Sequence, residues 1–227
     1  MSEWDRIVAD LHNVFDVDRA VKACETLDRV ASESWLPRLH RLLTKDKSFF
    51  VREAAAYPVA RLEGLRALPK LLHALKLGED DGHDNDGLVA VISDVVSAHP
   101  EEEAPILLQM IRSRSERKRS DAAWLWGFAA EALTPEPLIK LLDDSSSRVR
   151  SGAIGSLPSF KGREDVFAGL VNALQDEDEE VRCAAVSSLG YFGDKRAKSP
   201  LRMLYYDSSE SVRHMIEYAI EQIEKAG

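Results

Sequence analysis

Apolar residues recur at steps of three and four along almost the whole chain, and the segments that carry them come in pairs. In two of these pairs, the second segment has apolar residues at the same distances after an arginine. The residues of these two apolar stripes are Ala153, Ile154, Leu157 and Phe160, and Ala185, Val186, Leu189 and Phe192. Such offsets lie on one side of an α-helix. Because Gly and Pro cluster between the segments, the pattern predicts amphipathic helices joined by turns.

The second segments are imperfect copies of one another. Arginines 119, 150, 182 and 213 follow at intervals of 31, 32 and 31 residues, and weaker copies extend the repeat to the N-terminal half. A pair of helices this short cannot bury its apolar stripe alone, so the pairs are expected to stack. We predict an all-α fold, a right-handed α-α superhelix of about seven helical hairpin repeats. The expected single domain covers 1–227, with units at about 1–31, 32–64, 65–99, 100–131, 132–162, 163–194 and 195–227.

An aspartate stands six residues before the arginine in four copies. The pairs are Asp46 and Arg52, Asp144 and Arg150, Asp176 and Arg182, and Asp207 and Arg213. The stretches "LLDDSSSRVRSGAIGSL" and "ALQDEDEEVRCAAVSSLG" that contain two of these pairs resemble the HEAT-repeat family, in the short HEAT-like form also found in phycobilisome lyase-type proteins. The resemblance covers nearly the whole chain and implies a HEAT-like solenoid.

By that resemblance, the aspartate lies in the turn between helices A and B of a hairpin, and the arginine lies early in helix B. The two residue types would form a ladder of charge-assisted hydrogen bonds along the stack, to which Arg119 also belongs. Three units depart from the pattern, with Asn13 and Ser113 in place of Asp and no arginine after Asp80. These departures indicate either simple drift of the repeat sequence or a functional difference in the middle of the array. In the second case the middle is softer or more curved, or is specialised for a partner.

Composition narrows the classes of partner. Thirty basic and thirty-nine acidic residues give a net charge of -9, which argues against a nucleic-acid binder and favours a basic partner if the partner is charged. Two distant cysteines and no apolar run near the ~18 residues that span a bilayer predict a cytoplasmic protein without a membrane partner. A monomer is the favoured oligomeric state.

Few residues offer chemistry. The six histidines lack metal-ligand spacing, and none precedes a glutamate, as iron-binding HEAT-like hydroxylases would require. The acidic loop 78–87, "GEDDGHDNDG", permits a calcium site, a solvated turn or a partner contact. The basic run 112–119, "RSRSERKR", permits a phosphate or RNA contact or a solvated turn. We therefore predict no catalytic residue, no metal and no cofactor.

The B helices offer a candidate binding surface, because the family resemblance implies that they line the concave face. Positions five and nine after the ladder arginine lie off the core stripe, and aromatic or arginine side chains recur there. The candidate partner-binding residues are Tyr57, Arg61, Trp124, Phe128, Tyr191 and Tyr218. Exposed Trp, Tyr and Arg are typical of interface hot spots, although packing against a neighbouring repeat is the alternative.

The sequence thus predicts a non-catalytic module that binds a protein or peptide partner. Small acidic HEAT-like chains resemble adaptors and bacterial immunity proteins that neutralise a toxin. The alternative is a lyase-type HEAT-like protein that acts on a chromophore-bearing protein, for which Cys183 is the one thiol on the candidate surface.

Overall fold

The protein is described by a computed structural model that covers residues 1–13, 15–98 and 100–225, apart from the side chain of Glu103. The described residues form fourteen α-helices with short 3-10 turns and no strand. The chain divides into two compact units, Met1–His99 and Pro100–Gly227. Residue 99, the predicted boundary between the third and fourth repeats, lies outside the described residues.

The first unit contains three helical hairpins. Their A and B helices are α1 Glu3–Leu11 and α2 Val17–Val30, α3 Leu36–Lys45 and α4 Phe49–Glu63, and α5 Leu68–Asp80 and α6 Asp86–Ala98. Helix α4 packs between α2 and α6, so the three B helices form one layer, and α3 packs on α5 in the layer of A helices.

The second unit contains four hairpins. They are α7 Pro100–Ile111 and α8 Glu116–Phe128, α9 Glu136–Leu141 and α10 Ser147–Ser156, α11 Glu164–Ala173 and α12 Glu179–Phe192, and α13 Lys198–Met203 and α14 Glu210–Lys225. Helix α10 packs on α8 and α12, and α12 packs on α14, which again gives a layer of B helices. The seven hairpins confirm the predicted all-α, HEAT-like repeat fold.

Local sequence signals explain where the helices begin and end. Ser48, Ser115 and Asp178 cap α4, α8 and α12 by accepting hydrogen bonds from main-chain N–H groups in the first turn. Helix α12 ends at Gly193, whose φ of 80° places it in the left-handed region that glycine adopts without steric cost.

The core of each unit lies between its layers of A and B helices. Leucines such as Leu39, Leu71 and Leu170 come from the A helices and are fully buried. The eight apolar residues of the two stripes found in the sequence are all buried on α10, α12 and the turn after α10. Small residues on the B helices allow close packing, since a Cβ at Gly190 would lie 3.1 Å from Cα of Ala219 on α14.

Candidate partner-binding surfaces

The B helices are held in register by arginines near their N-termini. In the second unit Arg119, Arg150 and Arg182 each donate two hydrogen bonds to one carboxylate, with N···O distances of 2.6–2.9 Å. The acceptors are Asp144, Asp176 and Asp207, and each lies in the turn of the following hairpin. Bidentate, charge-assisted pairs of this kind fix both distance and orientation.

Each arginine is also tied to the turn of its own hairpin. Nη1 of Arg150 donates to the main-chain oxygen of Asp144 at 2.9 Å, and Nη1 of Arg182 donates to that of Asp176 at 2.8 Å. The aspartate six residues before an arginine therefore provides its carbonyl to that arginine, and its carboxylate to the arginine of the preceding hairpin. Arg213, in the last hairpin, donates to the main-chain oxygen of Asp207.

The aspartate carboxylates also close the turns. Oδ1 of Asp144, Asp176 and Asp207 accepts a hydrogen bond from the main-chain N–H two residues later, at 2.8–3.0 Å. Each carboxylate thus joins a turn to the arginine of the neighbouring hairpin. The hydrogen bond from Arg119 lowers the pKa of Asp144, and the hydrogen bond from Arg182 lowers the pKa of Asp207.

The ladder residues of the first unit are arranged differently. Arg52, with 2% of its surface exposed, donates to Asp81 at 2.8 Å and to the main-chain oxygen of Asp46 at 3.0 Å. The carboxylate of Asp46 contacts Nε2 of His12 at 3.2 Å. Asp80, which the sequence placed in the ladder position, pairs with Lys76 on its own helix.

The third hairpin lacks the arginine of the ladder, and the fourth hairpin lacks the aspartate. Val89 occupies the fourth position of α6, where the arginine stands in the later B helices. Ser113 occupies the aspartate position before α8, and its hydroxyl accepts a hydrogen bond from the N–H of Ser115 at 3.2 Å. Val89 and Ser113 are both uncharged, so neither departure from the repeat buries an unpaired charge.

The candidate aromatic residues of the second unit lie on three B helices. The rings of Trp124 and Phe128 meet edge to face on α8, with centroids 4.9 Å apart, and both side chains are half-buried. On α10 the corresponding position is Gly155, where an added Cβ would have no atom within 4 Å. The position on α10 that corresponds to Trp124 is therefore open.

Tyr191 on α12 and Tyr218 on α14 are more exposed, at 59% and 56%. They are the sequence neighbours of Gly190 and Ala219, at which α12 and α14 are in close contact. We call Trp124, Phe128, Tyr191 and Tyr218 the aromatic set.

The other two candidate residues belong to the first unit. Tyr57 is partly exposed on α4. Nε of Arg61 donates to Oδ1 of Asp28 at 3.1 Å, and its Nη2 donates to the main-chain oxygen of Ala31 at 3.1 Å, so Arg61 joins α4 to the end of α2. The six candidates thus occur as a pair in one unit and the aromatic set in the other.

The B helices of the first unit also form a groove, of whose lining sequence reasoning identified only Tyr57 and Arg61. We call it the first-unit groove; it consists of two adjoining hollows that share Asp28 and Tyr57. Its apolar lining consists of Val21, Cys24, Phe50, Ala54, Tyr57, Ala60, Val91, Val95 and Ala98. Its carboxylates are Glu25, Asp28, Glu53 and Asp94. Within the described part of the chain, Arg61 is the one cation of this lining.

The groove has a negative electrostatic character. Burial, with the charges of Asp84 and Asp86, raises the pKa of the Glu53 carboxyl. Burial and the charge of Glu53 likewise raise the pKa of Cys24 and of Tyr57. Burial is the larger cause in each case and the neighbouring carboxylates add to it, so a further negative charge is unfavourable here.

Other potential chemistry is accounted for by local contacts. In loop 78–87, Asp81 binds Arg52, and the ring of His83 stacks on Phe49 with centroids 4.8 Å apart. No group of three or more His, Cys, Asp or Glu residues that could hold a metal occurs among the described residues. Burial, followed by the charge of Glu179, raises the pKa of Cys183, which disfavours the nucleophilic thiolate.

The stacked hairpins and their arginine–aspartate pairs agree with a match to a family profile. The profile described as HEAT repeats matches residues 9–83 and 134–221, well over half of the chain. The chain belongs to the HEAT-repeat family. The HEAT repeats recognised by the profile include hairpins of both compact units.

Several solved structures are similar to this HEAT-repeat chain over most of its length. A designed armadillo repeat protein in complex with the peptide (KR)4 is 21% identical, with 98% of this chain and 100% of that chain covered and a TM-score of 0.43. Human deoxyhypusine hydroxylase in complex with glycerol is 16% identical, with 98% and 96% covered and a TM-score of 0.41. TM-scores this low carry no functional conclusion.

The remaining comparisons add two facts. No curated protein matches the HEAT-repeat chain in sequence. Among the described helices, none combines the length and the apolar character needed to cross a membrane.

Proposed function

We propose that the chain is a non-catalytic module that binds a protein or peptide partner through its B helices. The observation that carries the proposal is the exposure of Tyr191 and Tyr218 on adjacent B helices of a well-packed unit. Tyrosine combines a large apolar ring with a hydroxyl that can bond to a partner, at a small cost in conformational entropy.

The half-buried pair of Trp124 and Phe128 extends this surface. The two rings contact each other on one helix, so they are already ordered before a partner binds. Ordered aromatic anchors of this kind typically contribute most of the affinity of an interface. The space at Gly155 would admit a side chain of the partner beside them.

The net charge of -9 supports a basic partner, because a surplus of carboxylates steers positively charged proteins toward the chain. Two roles fit this chemistry, an adaptor and an immunity protein that neutralises a basic toxin. A gene for a toxic basic protein beside this one would favour the immunity role. The raised pKa of Cys183 offers no support for the lyase alternative.

The proposal is tested by capturing the partner from an extract of the native cells and identifying it by mass spectrometry. The double variant Tyr191→Ser, Tyr218→Ser should lose the partner, while its thermal unfolding stays close to that of the parent because both side chains are largely exposed. The matched control is Tyr206→Ser, since Tyr206 is 94% exposed but lies in the turn before α14. Equal capture by the double variant and the control would contradict the proposal.

A further inference from the structure

The first-unit groove has an apolar floor that the fold leaves uncovered. Val21 on α2 and Phe50 and Tyr57 on α4 converge on one hollow with Ala54, and all three larger side chains remain partly exposed. Large side chains on an amphipathic helix normally turn into the core, as Val51 and Val59 of α4 do. A set of exposed apolar side chains around one hollow is typical of a ligand groove.

Carboxylates surround this apolar floor. Glu25 and Asp28 project from α2, Glu53 from α4 and Asp94 from α6. Arg61 is already bound to Asp28 and to the end of α2, so it neutralises one carboxylate and leaves three. The lining is therefore apolar at its base and negative at its edges.

The packing leaves room for one of these carboxylates beside α6. The side chain of Glu53 lies so close to Gly87, in the first turn of α6, that a Cβ at Gly87 would overlap its carboxylate oxygen. Glycine at this position is thus required for Glu53 to lie over the start of α6. Its carboxylate stays there although burial and the charges of Asp84 and Asp86 oppose ionisation.

We propose that the first-unit groove binds a cationic amphipathic segment of a partner protein. An apolar side chain of that segment fills the hollow beside Val21 and Tyr57, and lysine or arginine side chains on either side pair with Glu25, Glu53 and Asp94. The inference rests on the proposed function, because it assigns a partner chemistry to one surface of the B helices.

Charge complementarity selects this occupant over others. A nucleic acid would bring phosphates against four carboxylates, and a second copy of this chain would bring a net charge of -9. A cationic segment instead relieves the repulsion among the carboxylates that surround Glu53, and each pair gains from the partly buried setting. The apolar floor requires that the segment be amphipathic and not uniformly basic.

The test measures binding of short fluorescein-labelled peptides to the purified full chain by fluorescence anisotropy. The probes are a peptide of alternating arginine and leucine, a peptide of alternating arginine and serine, and a peptide of alternating glutamate and leucine. We expect the first to bind most tightly, the second to bind more weakly, and the third not to bind. Equal binding of the first and third peptides would overturn the inference.

The variant Glu25→Gln, Glu53→Gln locates the site. It should weaken binding of the arginine–leucine peptide by about tenfold or more, since it removes two charge-assisted contacts. The control Glu3→Gln, Glu33→Gln makes the same change of net charge at exposed positions outside the groove and should bind as the parent does. If both variants bind equally, the groove is not the site and the inference fails.

Stability distinguishes a binding defect from misfolding. Because the pKa of Glu53 is raised in the folded chain, its replacement by Gln should leave the thermal unfolding temperature unchanged or higher at neutral pH. If the Glu25→Gln, Glu53→Gln variant loses the arginine–leucine peptide and also unfolds at a lower temperature than the parent, the result counts against the inference. Loss of the native partner by the Tyr191→Ser, Tyr218→Ser variant, with no binding of the arginine–leucine peptide, would sustain the proposed function and overturn this inference alone.

Discussion

Nε and Nη2 of Arg150 donate to the two carboxylate oxygens of Asp176 at 2.8 and 2.7 Å, although the two residues stand 26 positions apart. The same arginine donates to the carbonyl of Asp144, six residues before it. One side chain thus spans the turns of two hairpins. The repeated motif holds neighbouring hairpins of the second unit together, since the turns of Asp144, Asp176 and Asp207 each receive the arginine of the hairpin before them.

The buried pairs are expected to stabilise the second unit. Asp176→Asn keeps an oxygen for the N–H of Asp178 but leaves Arg150, whose side chain is 10% exposed, without a charged partner. The free energy of unfolding should fall by about 2 kcal/mol, as measured by urea denaturation. Glu136→Gln is the control, because it removes an exposed partner of Arg163, and it should cost less than about 1 kcal/mol. Equal losses would show that the ladder pairs contribute no more than surface pairs.

Acid should weaken the second unit through the same carboxylates. Arginine hydrogen bonds lower the pKa of Asp144 and Asp207 in the folded chain below the ordinary value of 3.8. The folded state therefore binds fewer protons than the unfolded state, and the stability from these groups is present above that value and lost as the pH falls through the lowered pKa. Urea denaturation at a series of pH values should show this loss, and Asp144→Asn should reduce the slope. Parallel curves for parent and variant would contradict the assignment.

Two glycines on the B helices should respond to alanine in opposite ways. Gly190→Ala places a methyl group 3.1 Å from Cα of Ala219, so α12 and α14 must separate, at a cost of about 1–3 kcal/mol. Gly155→Ala places it in open space and should stabilise the chain by up to about 1 kcal/mol, since alanine favours the helix. Thermal unfolding of the two variants checks the prediction. If the unfolding temperatures of both variants shift in the same direction, Gly190 is not needed for the close packing of α12 and α14.

Much of the fold could be predicted from the sequence, because the spacing of apolar residues and the positions of turn residues determine each helix locally. The stripes at Ala153–Phe160 and Ala185–Phe192 required a helix with one buried side, and the structure buries them. The partner of each arginine could not be predicted in the same way. The nearest aspartate in sequence offers Arg150 its carbonyl, and the carboxylate comes from the next hairpin, a relation that only the stack defines.

The α2 side of the first-unit groove was missed because the sequence suggests the wrong register for that helix. An interval of 33 residues before Arg52 places the arginine of the first copy at Arg19. Arg19 is the third residue of α2, whereas the ladder arginines of the other B helices are the fourth. One residue rotates a helix by about 100°, so Val21 and Glu25 were not placed on the binding side. The side chain of Asp16 accepts a hydrogen bond from the N–H of Arg19 and caps α2. This cap fixes where α2 begins, and the repeat pattern of the sequence does not reveal it.

The central claim is that the B helices contact a protein partner, and site-specific photo-crosslinking in the native cells tests it most directly. A photoreactive phenylalanine analogue replaces Tyr191 on α12 or, as the control, Lys140, which is exposed on the A helix α9. The account predicts a discrete crosslinked protein from position 191 and none from position 140. Equal crosslinking from both positions, or crosslinking from position 140 alone, would contradict it.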